Sequence, residues 1–278
     1  MRLIFLVVLV ILIPGILYNV NNSYLEPKIN AQTLKIPDTF SSEFQGDSIR
    51  VAVLGDIHVG QSDGDYDDLN EVLQSVVDSK PDLVLLLGDY TASPGSILNM
   101  DTHRSEIANR LSLLTSLPIA AVLGNYEAWS NPGNWRRSLS SIGITVLHND
   151  SAIMMVNEKN LCIRGLGDTY TNQFSFVEFL EECDKLSKIT ITHDPAGAFE
   201  AGVKGLIFAA HTHCGQVRLP LLGALWMPTA APREATCGFY QDSARLLWVT
   251  SGLGASILPI RLGAQAEWDL LTLTVNPM

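Results

Sequence analysis

Basic residues are scarce in this chain. Eighteen lysines and arginines stand against 29 aspartates and glutamates, a formal net charge of −11. Such a surface has no basic field to hold a polyanion, which argues against a nucleic-acid partner. A phosphate substrate is not excluded, because bound divalent ions would invert the local field. Zinc-finger spacing is also missing, since Cys162, Cys183, Cys214 and Cys237 form no closely spaced pair. They read as free, buried thiols; the alternative is pairing in an exported domain, with three possible connectivities. No repeat period runs through the sequence. What is present is a hydrophobic content of 47% over 278 residues, enough for a sizeable core in one large domain or in a domain with an appendage.

One long apolar run exists. Residues 3–20, LIFLVVLVILIPGILYNV, follow a single Arg2. Roughly 18 residues is short for a membrane span and long for the apolar part of a signal peptide. No small-x-small cleavage site follows it closely. Residues 1–20 therefore read as an uncleaved transmembrane anchor, ahead of a cleaved signal or a buried helix. Arg2 favours a cytoplasmic N-terminus and an exported body, so the expected location is the inner or plasma membrane. Residues 21–46 are polar and read as a linker; residues 47–278 form the body.

Within the body, strands and helices alternate. Ile49–Leu54, Leu83–Leu87 and Ile119–Leu123 are short apolar runs, each followed by glycine, as buried parallel strands are. Helical spacing covers Tyr66–Ser79 and Ser105–Ser116, and Asn131-Pro132 opens a third helix. Ala152–Val156 and Leu161–Leu166 flank a hairpin turn. Phe174–Leu186 reads as a helix. Ile189–Thr192, Leu206–Ala210, Leu246–Thr250 and Leu270–Val275 read as strands. The order predicts a layered α/β domain with a mixed sheet, or two packed sheets with helices outside.

Four clusters of metal-ligand residue types stand at the ends of predicted strands: Gly55-Asp56-Ile57-His58, Gly88-Asp89, Gly124-Asn125-Tyr126-Glu127 and Ala210-His211-Thr212-His213-Cys214-Gly215-Gln216. His193 follows another. Singly, each has a bland reading as a turn, a solvated pair or a structural histidine. As a set they supply two aspartates, one asparagine and four histidines, enough to hold two divalent ions side by side; Mn, Fe or Zn suits such donors. His103 and His148 fall outside the clusters and read as surface residues. The Pro/Gly-broken apolar stretch 219–228 reads as a loop packed on the core or as an apolar lip for a lipid substrate. Trp129 and Trp135 read as cleft wall or core.

The order D-x-H, G-D, G-N, H and H-T-H-x-G-Q resembles the calcineurin-like metallophosphoesterase superfamily. The stretches HTHCGQVRLP and Ser251–Gly263 resemble its bacterial membrane-linked branch, which includes YkuE-like phosphoesterases and relatives that hydrolyse UDP-diacylglucosamine. The resemblance implies a β-sandwich flanked by helices, with two packed mixed sheets. It implies that Asp56, His58, Asp89 and His213 hold one ion and that Asp89, Asn125, His193 and His211 hold the other. A hydroxide shared by the ions would attack a phosphodiester or pyrophosphate, on a phosphorylated small molecule or lipid. The chain departs from that pattern at Tyr126, where the resemblance implies a histidine acting on the leaving oxygen. Tyrosine is the weaker acid. The departure fits reduced activity, a binding protein that keeps its metals, or a substrate such as a pyrophosphate whose leaving group needs no proton.

Overall fold

The computed structural model describes residues 27–36, 48–60, 65–219, 221–224, 226–257 and 260–275. Two six-stranded mixed sheets pack face to face. The first runs in the order β1 (Lys28–Ile36), β14 (Glu267–Val275), β2 (Ile49–Leu54), β3 (Leu83–Leu86), β4 (Ile119–Ala121), β5 (Thr145–Val146). The second runs β12 (Gly238–Gln241), β13 (Arg245–Val249), β9 (Gly205–Ala209), β8 (Ser187–Ile191), β7 (Lys159–Gly165), β6 (Asp150–Val156). A two-stranded hairpin, β10 (Arg218–Leu219) and β11 (Gly223–Ala224), stands apart. Four α-helices are described: α1 (Asp65–Asp78), α2 (Met100–Leu111), α3 (Asn125–Trp129) and α4 (Pro132–Ser141).

Residue alternation explains the layers. Val51 and Val53 of β2, with Leu83 and Leu85 of β3, face the second sheet and meet Ile189, Ile191, Leu206 and Phe208. Ala52, Leu54, Val84 and Leu86 face outward onto Leu69, Val72 and Leu73 of α1 and Ile107 and Leu111 of α2. Covered on both faces, these strands carry no polar alternation, which is why they read as continuous apolar runs. A smaller cluster, including Ile207, Ala209, Leu247 and Val249, packs on the outer face of the second sheet. β2, β3 and β4 run parallel, as do β8 and β9. The two sheets approach closely just past the ends of β2 and β9, where a Cβ on Gly55 would come 2.7 Å from the Ala210 Cβ.

Several expectations are corrected. Residues 28–36 are strand, not linker: β1 pairs in parallel with β14 in a nine-residue register. It buries only Leu34 and Ile36, so an edge strand passes for polar tether. Phe174–Leu186 is not an α-helix; only the single 3-10 turn Glu181–Cys183 forms. Arg164 of β7 pins this segment, donating to the Val177 carbonyl at 3.0 Å with its guanidinium 4.4 Å from the Phe179 ring. The cysteines are not free. Cys162 is bonded to Cys183 and Cys214 to Cys237. Among the described residues, no helix is long and apolar enough to cross a membrane, which overturns the expected membrane-anchored location with an exported domain. The apolar run 3–20 lies outside the described residues.

Candidate metal centre

Each expected ligand lies just past the C-terminal end of an interior strand. Asp56 and His58 follow β2, Asp89 follows β3, and Asn125 opens α3 just after β4. His193 follows β8, and His211 and His213 follow β9. All seven are buried. Asp56, His58, Asp89, His211 and His213 hold left-handed backbone, with φ between 49° and 67°. For a residue with a Cβ this costs on the order of 1 kcal/mol each, and such strain gathers at functional sites. Gly88 (φ +91°) makes room, since a Cβ there would lie 2.5 Å from the Gly124 nitrogen.

The side chains form two groups, with one carboxylate of the second lying beside the first. Asp56, His58 and His213 offer donor atoms within 4.8 Å of one another, and so do Asp89, His193 and His211. His58 Nε2 faces His213 Nε2 at 3.2 Å. His193 Nε2 faces His211 Nδ1 and Asn125 Oδ1, both at 3.1 Å. Between the groups sits Asp89 Oδ2, 3.6 Å from His58 Nε2 and 3.4 Å from His193 Nε2.

Hydrogen bonds behind the rings set their tautomers. His58 Nδ1 lies 3.2 Å from the Thr91 carbonyl and His193 Nδ1 2.7 Å from the Leu87 carbonyl. His211 Nε2 lies 2.7 Å from the Pro228 carbonyl. A carbonyl only accepts, so each of these nitrogens carries the proton and the opposite nitrogen turns a lone pair inward. Burial holds His58 down to about 4 and lowers His211 and His213 as well, keeping these imidazoles neutral. His193 is pushed up despite its burial, because the Asp89 carboxylate lies beside it. Burial pushes Asp56 up to about 7, and neighbouring Asp89 adds to this. Asp56 Oδ2 is buried with no hydrogen-bond partner among the described residues. Converging lone pairs, two carboxylates and an orphaned oxygen fit a pair of divalent cations; burying such a set without one is costly.

A model of the calcineurin-like phosphoesterase family matches residues 49–215. The chain belongs to the calcineurin-like phosphoesterase family. It is 26% identical over 264 residues to the uncharacterized metallophosphoesterase YkuE of Bacillus subtilis, over 90% of this chain and 87% of that protein. It is 27% identical over 214 residues to the phosphodiesterase YaeI of Escherichia coli, over 74% and 75% of the two chains. A solved 5'-nucleotidase precursor from Thermus thermophilus is similar at 16% identity, with a TM-score of 0.46 over 81% of this chain. This chain spans 55% of that neighbour's length. Membership in this family makes the chain a hydrolase of phosphoester bonds.

Other residues of this phosphoesterase support the centre without having been assigned a role from sequence. Glu127, within the G-N-Y-E cluster, is wholly buried and accepts from four backbone N–H groups: Asp89 and Tyr90 at 2.8 Å, Gly124 at 2.9 Å and Thr91 at 3.3 Å. Arg261, in the quoted stretch Ser251–Gly263, is buried with Nη2 2.9 Å from His213 Nδ1, and it donates to the carbonyls of Ser251, Gly252 and Gly254. His103 is buried, not on the surface. Thr91 Oγ1 donates to the Ala92 carbonyl, so His103 Nε2 donates to Thr91 Oγ1 at 3.0 Å and its Nδ1 accepts from Tyr66 at 2.5 Å. These bonds hold the side chain of Thr91, the residue whose carbonyl faces His58 Nδ1. Nothing in the local sequence signals it, because the partners lie on α1, α2 and the loop after β3. His148 is half-buried. Cys214 adjoins His213 and its bond to Cys237 staples the motif loop to the segment before β12.

Tyr126 lies beside the centre. Its backbone N–H donates to Asp89 Oδ1 at 2.9 Å, its ring meets His58 edge-on at 4.8 Å, and its hydroxyl is 3.0 Å from Ser256 Oγ. Burial pushes the phenol above its ordinary pKa, making it a poorer acid still. A cavity of about 400 Å³ opens in front, lined by Tyr126, Trp129, Tyr170, His211, Trp226 and Ile257 among others. Trp129 is thus wall, whereas Trp135 is core, packed near Tyr90. Within the stretch 219–228, Leu221, Leu222 and Trp226 are exposed, Ala224 is buried, and Trp226 and Pro228 line the cavity.

Proposed function

We propose that this chain is a two-metal phosphohydrolase that cleaves a phosphodiester or phosphoanhydride, on a small molecule or lipid, with a weakly basic leaving group. The observation carrying the reading is Asp89 Oδ2, set within 3.6 Å of one imidazole group and 3.4 Å of the other. That placement supports Asp89 as the shared ligand, with Asp56, His58 and His213 on one side and Asn125, His193 and His211 on the other. Two divalent ions, with Mn²⁺, Fe or Zn²⁺ fitting the donors, supply an activated water and offset charge on the phosphoryl oxygens. The chain's own part is to orient these donors through the carbonyls of Leu87, Thr91 and Pro228 and, by burial, to keep His58, His211 and His213 neutral. The relative named a phosphodiesterase agrees with a diester.

Leaving-group preference rests on Tyr126. A phenol whose pKa is raised by burial offers a hydrogen bond but little acid catalysis, and general acid help is worth about 10²–10⁴-fold. Alkoxides need that help; phosphates and aryl oxides do not. The test is turnover by the Mn²⁺-loaded full chain on an aryl diester, an alkyl diester and a sugar-nucleotide pyrophosphate. Wild type is expected to cleave the aryl diester or the anhydride and to leave the alkyl diester nearly untouched. Tyr126→His is expected to raise alkyl-diester turnover by roughly 10- to 100-fold. Equal wild-type rates on aryl and alkyl esters would sink the leaving-group argument. Metal binding without turnover on any of them would leave a metal- and phosphate-binding protein instead.

A further inference from the structure

The cavity before the metal centre has a charge pattern that narrows the substrate. Its described lining contains no lysine or arginine. Beyond the ligand cluster it is walled by aromatic rings and small polar groups. Two rings step outward from the centre: Tyr170 lies 4.6 Å from His211, and Trp129 lies 6.3 Å from Tyr170. Trp226 joins them from the lip after β11. Trp129 is 56% exposed and Trp226 62% exposed, despite flanking a cavity of about 400 Å³. Large exposed rings around a concave site are surface held ready for a ligand.

We infer that this cleft takes a flat, uncharged ring carried as one ester substituent of a singly charged phosphodiester, and that it selects against a second phosphate. The inference rests on the two-metal reading above. A ring stacked on one of these faces gains about 1–3 kcal/mol in comparable stacking, and a neighbouring ring can meet its edge. A second phosphate in the same volume would find no guanidinium or ammonium in the described lining to pair with. Of the substrates allowed above, an aryl-type diester therefore fits and a pyrophosphate does not. Ser93, Gln216 and Ser256 also line the cavity; Gln216 is bonded to the Ser256 backbone and Ser256 Oγ to the Tyr126 hydroxyl, so they present a neutral wall.

Calorimetry on the Mn²⁺-loaded full chain tests this without turnover. The ligands are phenyl methylphosphonate (one charge, flat), hexyl methylphosphonate (one charge, flexible), phenylphosphonate (two charges) and methylene diphosphonate. Phenyl methylphosphonate is expected to bind at least about tenfold tighter than the other three. Trp129→Ala and Trp226→Ala are each expected to weaken it about five- to tenfold; both rings are exposed, so folding does not depend on them. Ile257→Lys, at a 76% exposed rim position, is expected to raise affinity for methylene diphosphonate several-fold. Equal or tighter wild-type binding of the diphosphonate, or unchanged affinity in both tryptophan variants, would overturn the inference. Hexyl methylphosphonate binding as tightly as the phenyl ligand would do so too, replacing a ring by a chain. Loss of all phosphoester turnover with this binding pattern intact would instead count against the hydrolase reading alone.

Discussion

The Glu127 carboxylate holds the backbone N–H of Asp89 at 2.8 Å. The same carboxylate ties Gly124, Tyr90 and Thr91, so one buried side chain fixes the loops that carry Asp89 and Asn125. Glu127→Ala leaves four backbone donors buried and unpaired. Each costs about 1–3 kcal/mol before relaxation, so a loss on the order of 4 kcal/mol in unfolding free energy is expected, with weakened Mn²⁺ binding. Urea unfolding and metal titration of the variant check both; wild-type stability would show that water replaces the carboxylate.

Asp89 and His213 are expected to differ in metal stoichiometry. Asp89 faces both imidazole groups, and His213 only the one containing Asp56 and His58. Asp89→Ala should lose both ions and at least about 10³-fold in turnover. His213→Ala should retain close to one ion. Elemental analysis after dialysis gives the counts, and equal loss in both variants would contradict a shared carboxylate.

Asp269 of β14 gives a pH prediction away from the metals. Burial pushes its carboxyl up from 3.8 to about 6, while Asn30 donates to Oδ1 at 2.7 Å. The native state therefore binds this proton more tightly than the unfolded chain does. Its contribution to stability is present below pH 3.8 and is lost as pH rises to about 6. Asp269→Asn, which cannot ionise, is expected to match wild type near pH 4 and exceed it by about 2 kcal/mol at pH 8. Denaturant melts at the two pH values read this directly.

The two disulfides should separate stability from metal binding. They close loops of similar length, with sequence separations of 21 and 23, so each should contribute about 3 kcal/mol. Replacing Cys162 and Cys183 by serine is expected to lower stability and leave Mn²⁺ affinity near wild type. Replacing Cys214 and Cys237 should lower both, because Cys214 directly follows His213 and shares its left-handed backbone. Parallel unfolding curves and metal titrations distinguish the pairs.

Strands buried on both faces were legible from sequence because nothing polar interrupts them; β2, β3, β8 and β9 lie within two residues of their expected bounds. The seven ligand candidates were legible for a related reason, each following such a run. Elements stabilised by neighbours were not. β1 is defined by pairing with β14 at the opposite end of the chain. The helical spacing at 174–186 is overridden by Arg164, which draws Phe179 and the Val177 carbonyl onto the second sheet.

The sequence by itself determined which residues stand at strand ends, that their donors suit divalent ions, and that position 126 carries a phenol. Tertiary structure alone decided which of them meet. Asp89 reaches His193 across 104 positions of chain and Cys214 finds Cys237. Trp129 lines a cleft while Trp135, on the next helix, fills the core. Local pattern records backbone preference and apolar periodicity, whereas ligation, disulfide pairing and wall formation depend on through-space distances that exist only once the two sheets have closed on each other.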